Sequence, residues 1–141
     1  MTRQRYLLDT CICASILRGK FGVKERVKAI GIENCYISEI TVAELKYGKL
    51  LGQLKGGPKY RDQHLEWFLE TITVIPIASI IDHYAEEKAR LTLTGKPTGE
   101  FDLLIGCTAA AKKMVMVTEN VKDFQNIQGI QIENWIDRNR Q

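Results

Sequence analysis

Tyr6-Leu7-Leu8-Asp9-Thr10 is the stretch on which the reading of the fold turns: an apolar strand that runs directly into a carboxylate. In an open α/β sheet ligands gather outside the carboxyl ends of the strands, so an acid ending the first strand occupies a station where chemistry is done. Asp is equally favoured as the cap of a helix that follows a strand. Asp9 alone does not choose between cap and catalyst; other acids returning to the same sheet edge would.

Working outward, residues 12–17 read as a short helix and residues 23–30 as a solvent-facing one stopped by Gly31. Cys35-Tyr36-Ile37 reads as a second strand, with Ser38 as the N-cap of a helix over residues 39–54. Along that helix Ile40, Ala43, Tyr47, Leu50, Leu51 and Leu54 recur at three- and four-residue spacing and predict one apolar stripe, with Glu44 beside it and Gly48 one turn later. Residues 52–62, containing Gly56-Gly57-Pro58, read as an interhelical loop, and residues 63–70 as a further helix.

Thr73-Val74-Ile75 is a short third strand ended by Pro76, followed by a helix over residues 79–93 and a turn-rich break over residues 94–99. The next helix spans residues 100–113. Asp102 stands in its first turn and heads a narrow face of Ile105, Gly106 and Ala109. Residues 114–118 form a buried strand that leads into Glu119-Asn120 and Asp123, and Ile130-Gln131-Ile132 is a last strand before Trp135. Strands alternating with helices predict an α/β fold: one domain over residues 1–141, with a mainly parallel sheet covered by helices on both faces.

At 141 residues and 45% hydrophobic the chain can bury a core unaided, and a formal charge of +3 permits contact with a polyanion without demanding it. Asp9 interrupts the N-terminal apolar run, so no secretory segment is expected, and no run is long enough to cross a bilayer. A cytoplasmic protein is expected. Cys11, Cys13, Cys35 and Cys107 show no CxxC pair and, with His64 and His83, no zinc-ligand spacing. They read as small buried apolar residues.

Four acids then stand at equivalent stations: Asp9 after strand one, Glu44 on the helix after strand two, Asp102 opening a helix, and Asp123 after strand four. Each has a plain structural alternative: a cap, a surface acid, a charge favouring the helix dipole, or a capping box between Asn120 and Asp123. Gathered at one edge, they repel one another unless a cation sits among them. An all-oxygen set suits Mg2+ or Mn2+, and such an ion can activate water for in-line displacement at phosphorus. Ser38, Thr118 and Asn120 lie beside the acids and can hold a carboxylate or a water, or serve as caps and turn residues.

These residues carry a family resemblance. Leu8-Asp9-Thr10, the block from Ser38 to Gly48 around Glu44, Phe101-Asp102-Leu103-Leu104-Ile105-Gly106, and the block from Val117 to Phe124 resemble the PIN-domain ribonucleases, and among them the VapC toxins of toxin–antitoxin pairs. The resemblance runs over nearly the whole chain. It implies a five-stranded parallel sheet, a Mg2+- or Mn2+-dependent endoribonuclease acting on RNA, a homodimer, and inhibition by a VapB-like antitoxin. The metal acids it implies are Asp9, Glu44 and Asp102, with Asp123 as the less constant fourth. Cys11 and the Gly106-Cys107 pair depart from the usual pattern without removing an acid.

Glu100, two residues before Asp102, reads as a first-turn surface acid. Arg18, Lys20, Lys46, Lys49 and Lys55 are candidates for phosphate contact, although a Lys-rich helix face is usually only solvated. Two other Mg2+-dependent classes fit less well. A haloacid-dehalogenase-type phosphotransferase wants a second Asp where Cys11 stands, and a response-regulator receiver wants a late Lys where Thr118-Glu119-Asn120 stands. A catalytically silent RNA- or protein-binding module of the same fold remains the alternative from a different class.

Overall fold

The computed structural model describes residues 3–57 and 62–141. Five short strands, β1 (Tyr6–Leu8), β2 (Cys35–Ser38), β3 (Thr73–Ile75), β4 (Val115–Val117) and β5 (Gln131–Glu133), form one sheet in the order β3-β2-β1-β4-β5. Every neighbouring pair is parallel, so the expected sheet is realised in full. The chain builds outward from β1 through β2 to β3, then returns to the other side of β1 for β4 and β5. The reversal falls between β1 and β4, and the crevice outside their carboxyl ends is the binding position this topology provides.

The central strands are apolar on both faces because both faces are covered. Leu8 of β1 packs with Ile12, Val23, Ile37, Phe68 and Val117 on one side, whereas Leu7 packs with Leu91, Leu103, Ile105 and Met116 on the other. The first side is covered by α1 (Thr10–Arg18), α2 (Val23–Ile30) and α4 (Asp62–Thr71), the second by α5 (Ile81–Leu93), α6 (Glu100–Lys112) and α7 (Val121–Phe124). Gly19, at φ 66, ends α1 in the left-handed conformation that a side chain would disfavour. The helix expected from residue 79 begins instead as a 3-10 turn over Ile77–Ile80 before α5. Of the expected loop over residues 52–62, residues 58–61 lie outside the described residues.

One expectation is overturned. The helix α3 (Glu39–Leu54) forms with the predicted bounds, but its stripe does not face inward: Tyr47 is 65% exposed, Leu50 56% and Leu54 77%. Ala43 is exposed as well, and the buried positions are Ile40, Thr41 and Leu45. α3 touches β2, α1, α6 and α4, and Lys46, Lys49, Leu50 and Gln53 of its second half line a groove with α4. Apolar spacing identifies a helix face; it does not say whether anything in the chain covers it.

Candidate active site

Asp9 is both cap and site residue. It sits at the N-cap of α1 with extended backbone, and its Oδ1 accepts the Thr10 N–H at 2.8 Å. Its Oδ2 accepts the Thr118 hydroxyl at 2.8 Å and faces the Cys11 thiol at 3.7 Å. Thr118 has one proton to give, so its oxygen is free to accept the Asn120 N–H at 2.9 Å, and the turn after β4 is fastened to the turn after β1. Asp9 is only 5% exposed, and burial raises its pKa against the lowering effect of these hydrogen bonds.

Glu44, on the second turn of α3, reaches the same edge. Its Oε1 accepts the Thr10 hydroxyl at 2.6 Å, and Thr10 Oγ1 also lies 3.3 Å from Thr41 Oγ1. Ser38 starts α3 by accepting the Ile40 N–H at 3.1 Å, the capping role that the sequence also offered for it. Asp102 occupies the first turn of α6, and its pKa rises to about 6, through burial first and then through the charges of Asp9, Asp123 and Glu44. Asp102 therefore feels the charges of the other three predicted acids. Asp123 is exposed on α7, with a backbone N–H bond to the Asn120 carbonyl at 3.0 Å, and no side-chain cap is made by Asn120. The capping-box alternative is thus not realised.

Other residues are placed elsewhere. Glu100 turns away to Lys88, at 2.8 Å, and to Tyr84 on α5, which hold its pKa down; it is the surface acid expected. Arg18 stands in the last turn of α1, about 12 Å along the helix from Thr10 at 1.5 Å per residue, in a groove with Lys24, His64 and Trp67. Lys46 and Lys49 line a separate groove with Leu65, Glu66 and Leu69 of α4. Two contributors were missed by the sequence reading. Thr10 supplies the hydroxyl that holds Glu44, and Cys11 is half-buried against Asp9; the only signal for either was adjacency to Asp9.

The ion pairs Arg26–Glu133, Lys88–Glu100, Arg90–Glu87 and Arg138–Glu119 each engage a carboxylate other than these four acids. Carboxylates gathered on one edge are the donor set a hard divalent cation would take. The Cys11 thiol is pushed up to about 11 by burial and by Asp9, which leaves the oxygens as the available ligands at neutral pH. As the side chains stand, no three acidic, His or Cys groups among the described residues are spaced to share an ion.

The PIN domain family model matches residues 6–130. The chain is 31% identical over 133 residues to a tRNA(fMet)-specific endonuclease VapC of Shigella flexneri, covering 93% of this chain and 98% of that one. It is 32% identical to Ribonuclease VapC2 of Rickettsia felis, covering 92% and 97%. Among solved structures, VapBC2 of Rickettsia felis bound to a promoter DNA fragment superposes with a TM-score of 0.79 at 30% identity, covering 94% of this chain and 99% of that one. DNA-bound VapBC of Salmonella typhimurium superposes at 0.77 and 30% identity, covering 94% and 98%. The chain belongs to the PIN-domain family, in its VapC branch.

Proposed function

We propose that this protein is a Mg2+- or Mn2+-dependent endoribonuclease that hydrolyses RNA phosphodiester bonds at its acidic edge and acts, in the cytoplasm, as the toxin of a toxin–antitoxin pair. The observation that carries the reading is the arrival of Asp9, Glu44, Asp102 and Asp123 from four separate elements, close enough that the charges of the other three raise the Asp102 pKa. PIN-domain nucleases use divalent metal ions. The relatives named as ribonucleases, and the solved VapBC complexes, support the activity, a VapB-like antitoxin as partner, and promoter DNA as a target of that complex. The exposed Tyr47, Leu50 and Leu54 stripe on α3 supports a homodimer.

Within this reading Asp9, Glu44, Asp102 and Asp123 hold the ion. When bound, the ion supplies positive charge against the phosphate and a more readily deprotonated water. Asp9 is fixed by Thr10 and Thr118, and Glu44 by Thr10, so two carboxylates enter with little orientational freedom to lose. Burial and the charges of Asp9, Asp123 and Glu44 push the Asp102 carboxyl up to about 6, so a bound cation would favour its ionised form. The substrate is RNA, and selection of a single-stranded loop with splayed bases is the mode by which proteins read RNA sequence. The test is purified protein with RNA and Mg2+ or Mn2+: internal cleavage is expected, lost in EDTA and lost in Asp9→Asn and Asp102→Asn. Equal cleavage under those conditions would falsify the metal-site assignment.

A further inference from the structure

Asp123 is the least constrained of the four acids, exposed on a helix of four residues. What fixes it is the segment that follows. Phe124 is fully buried and Ile127 nearly so, and both pack on α6 at Gly106. A Cβ on Gly106 would overlap Cδ1 of Ile127 and stand 3.1 Å from Cδ1 of Phe124. Gly106 has ordinary helical backbone, so its missing side chain serves close approach and not torsion. It lies one turn after Asp102 on the same helix. The glycine seat on α6 is therefore one turn from Asp102, and the residues over it, Phe124 and Ile127, lie one and four positions after Asp123.

The same segment is tied from its other side to α5. Glu87, buried, accepts the Gln128 N–H at 2.6 Å, and Arg90, paired with Glu87, donates to the Asn126 carbonyl at 2.7 Å. The segment is thus clamped between α5 and a glycine-sized seat on α6. We infer that Gly106 is a positioning residue: the absent side chain lets α7 seat against α6, and this seating sets the reach between Asp102 and Asp123. The inference rests on the metal-centre reading above.

The experiment is Mn2+ binding, followed by the EPR signal of free Mn2+, in wild type, Gly106→Ala, Ile127→Val and the double variant, with thermal melts in EDTA alongside. Gly106→Ala is expected to weaken Mn2+ binding by about tenfold, the lower end of the loss when groups that orient metal ligands are disturbed. Ile127→Val deletes only the Cδ1 methyl, so the double variant is expected to regain near wild-type affinity. A merely structural Gly106 would lower the melt and leave the Mn2+ constant unchanged, and that result overturns the inference, as does a double variant that folds and does not recover. Should Gly106→Ala fail to fold, Ile127→Ala loosens the same seat by deletion: weaker Mn2+ binding supports the inference and unchanged binding overturns it. Wild-type protein that binds no Mn2+ would instead sink the metal-centre reading, and the inference with it.

Discussion

Replacing Thr118 with Val removes one hydroxyl from the junction of β1 and β4 while keeping the side-chain shape. That hydroxyl donates to the buried Asp9 carboxylate at 2.8 Å and accepts from Asn120 at 2.9 Å. A hydrogen bond to a charged group contributes about 1.5–3 kcal/mol, and losing it leaves Asp9 Oδ2 facing only the weak Cys11 donor. We expect Thr118→Val to lose about 2 kcal/mol at pH 7 in EDTA, or about 6 °C in Tm for a domain of this size. Thr118→Ser keeps the hydroxyl and is expected to lose less. The charge dependence is the sharper signature: Asp9 is held above the usual carboxylate range, so lowering the pH protonates it and shrinks the Thr118→Val penalty. Thermal melts of the three proteins at pH 7 and pH 4 measure this. A penalty independent of pH, or a Ser variant as weak as Val, would show that Thr118 acts by packing and that Asp9 does not depend on it.

The pH dependence of the metal-free protein follows from Asp102, whose folded pKa of about 6 exceeds its ordinary value of 3.8. The folded state then holds a proton that the unfolded chain has released, so this group's contribution to stability falls as pH rises from about 4 to about 6. Melts in EDTA across that window should show Asp102→Asn gaining on wild type, with the gain level above it; a flat difference curve would contradict the coupling. Mn2+ competes with the same proton, so its affinity should drop below pH 6 when measured by titration. Glu87→Gln weakens the clamp on Gln128 and should cost about 1–3 kcal/mol by chemical denaturation, since Arg90 stays partly solvated. Glu100→Gln loses its pairing with Lys88 and Tyr84 and should leave Mn2+ affinity unchanged; a large loss would place Glu100 in the site after all.

Much of this was legible from residue order. Caps and apolar runs located β1, α2, α3 and β4 because Ser38, Gly31 and the run at residues 114–118 act locally. The four acids could be nominated because a parallel sheet sends successive strand ends to one edge. What lay outside the reading depends on packing between distant elements. The α3 stripe was misjudged because what covers a helix face is decided by its neighbouring elements and not by its own spacing. Lys46 and Lys49 line a groove with α4, a neighbour that no local pattern in α3 names. The commitment of Glu100 to Lys88 follows from the α5–α6 contact, which no local pattern announces.

The central claim is that Asp9, Glu44, Asp102 and Asp123 form one cation site. It is tested most directly by an anomalous-scattering map of crystals soaked in Mn2+. The account predicts a peak within oxygen-ligand distance, about 2.0–2.2 Å, of carboxylates from at least Asp9 and Asp102, and its absence in Asp102→Asn crystals. A well-occupied Mn2+ peak elsewhere, with these four side chains left as they are in the metal-free protein, would contradict it.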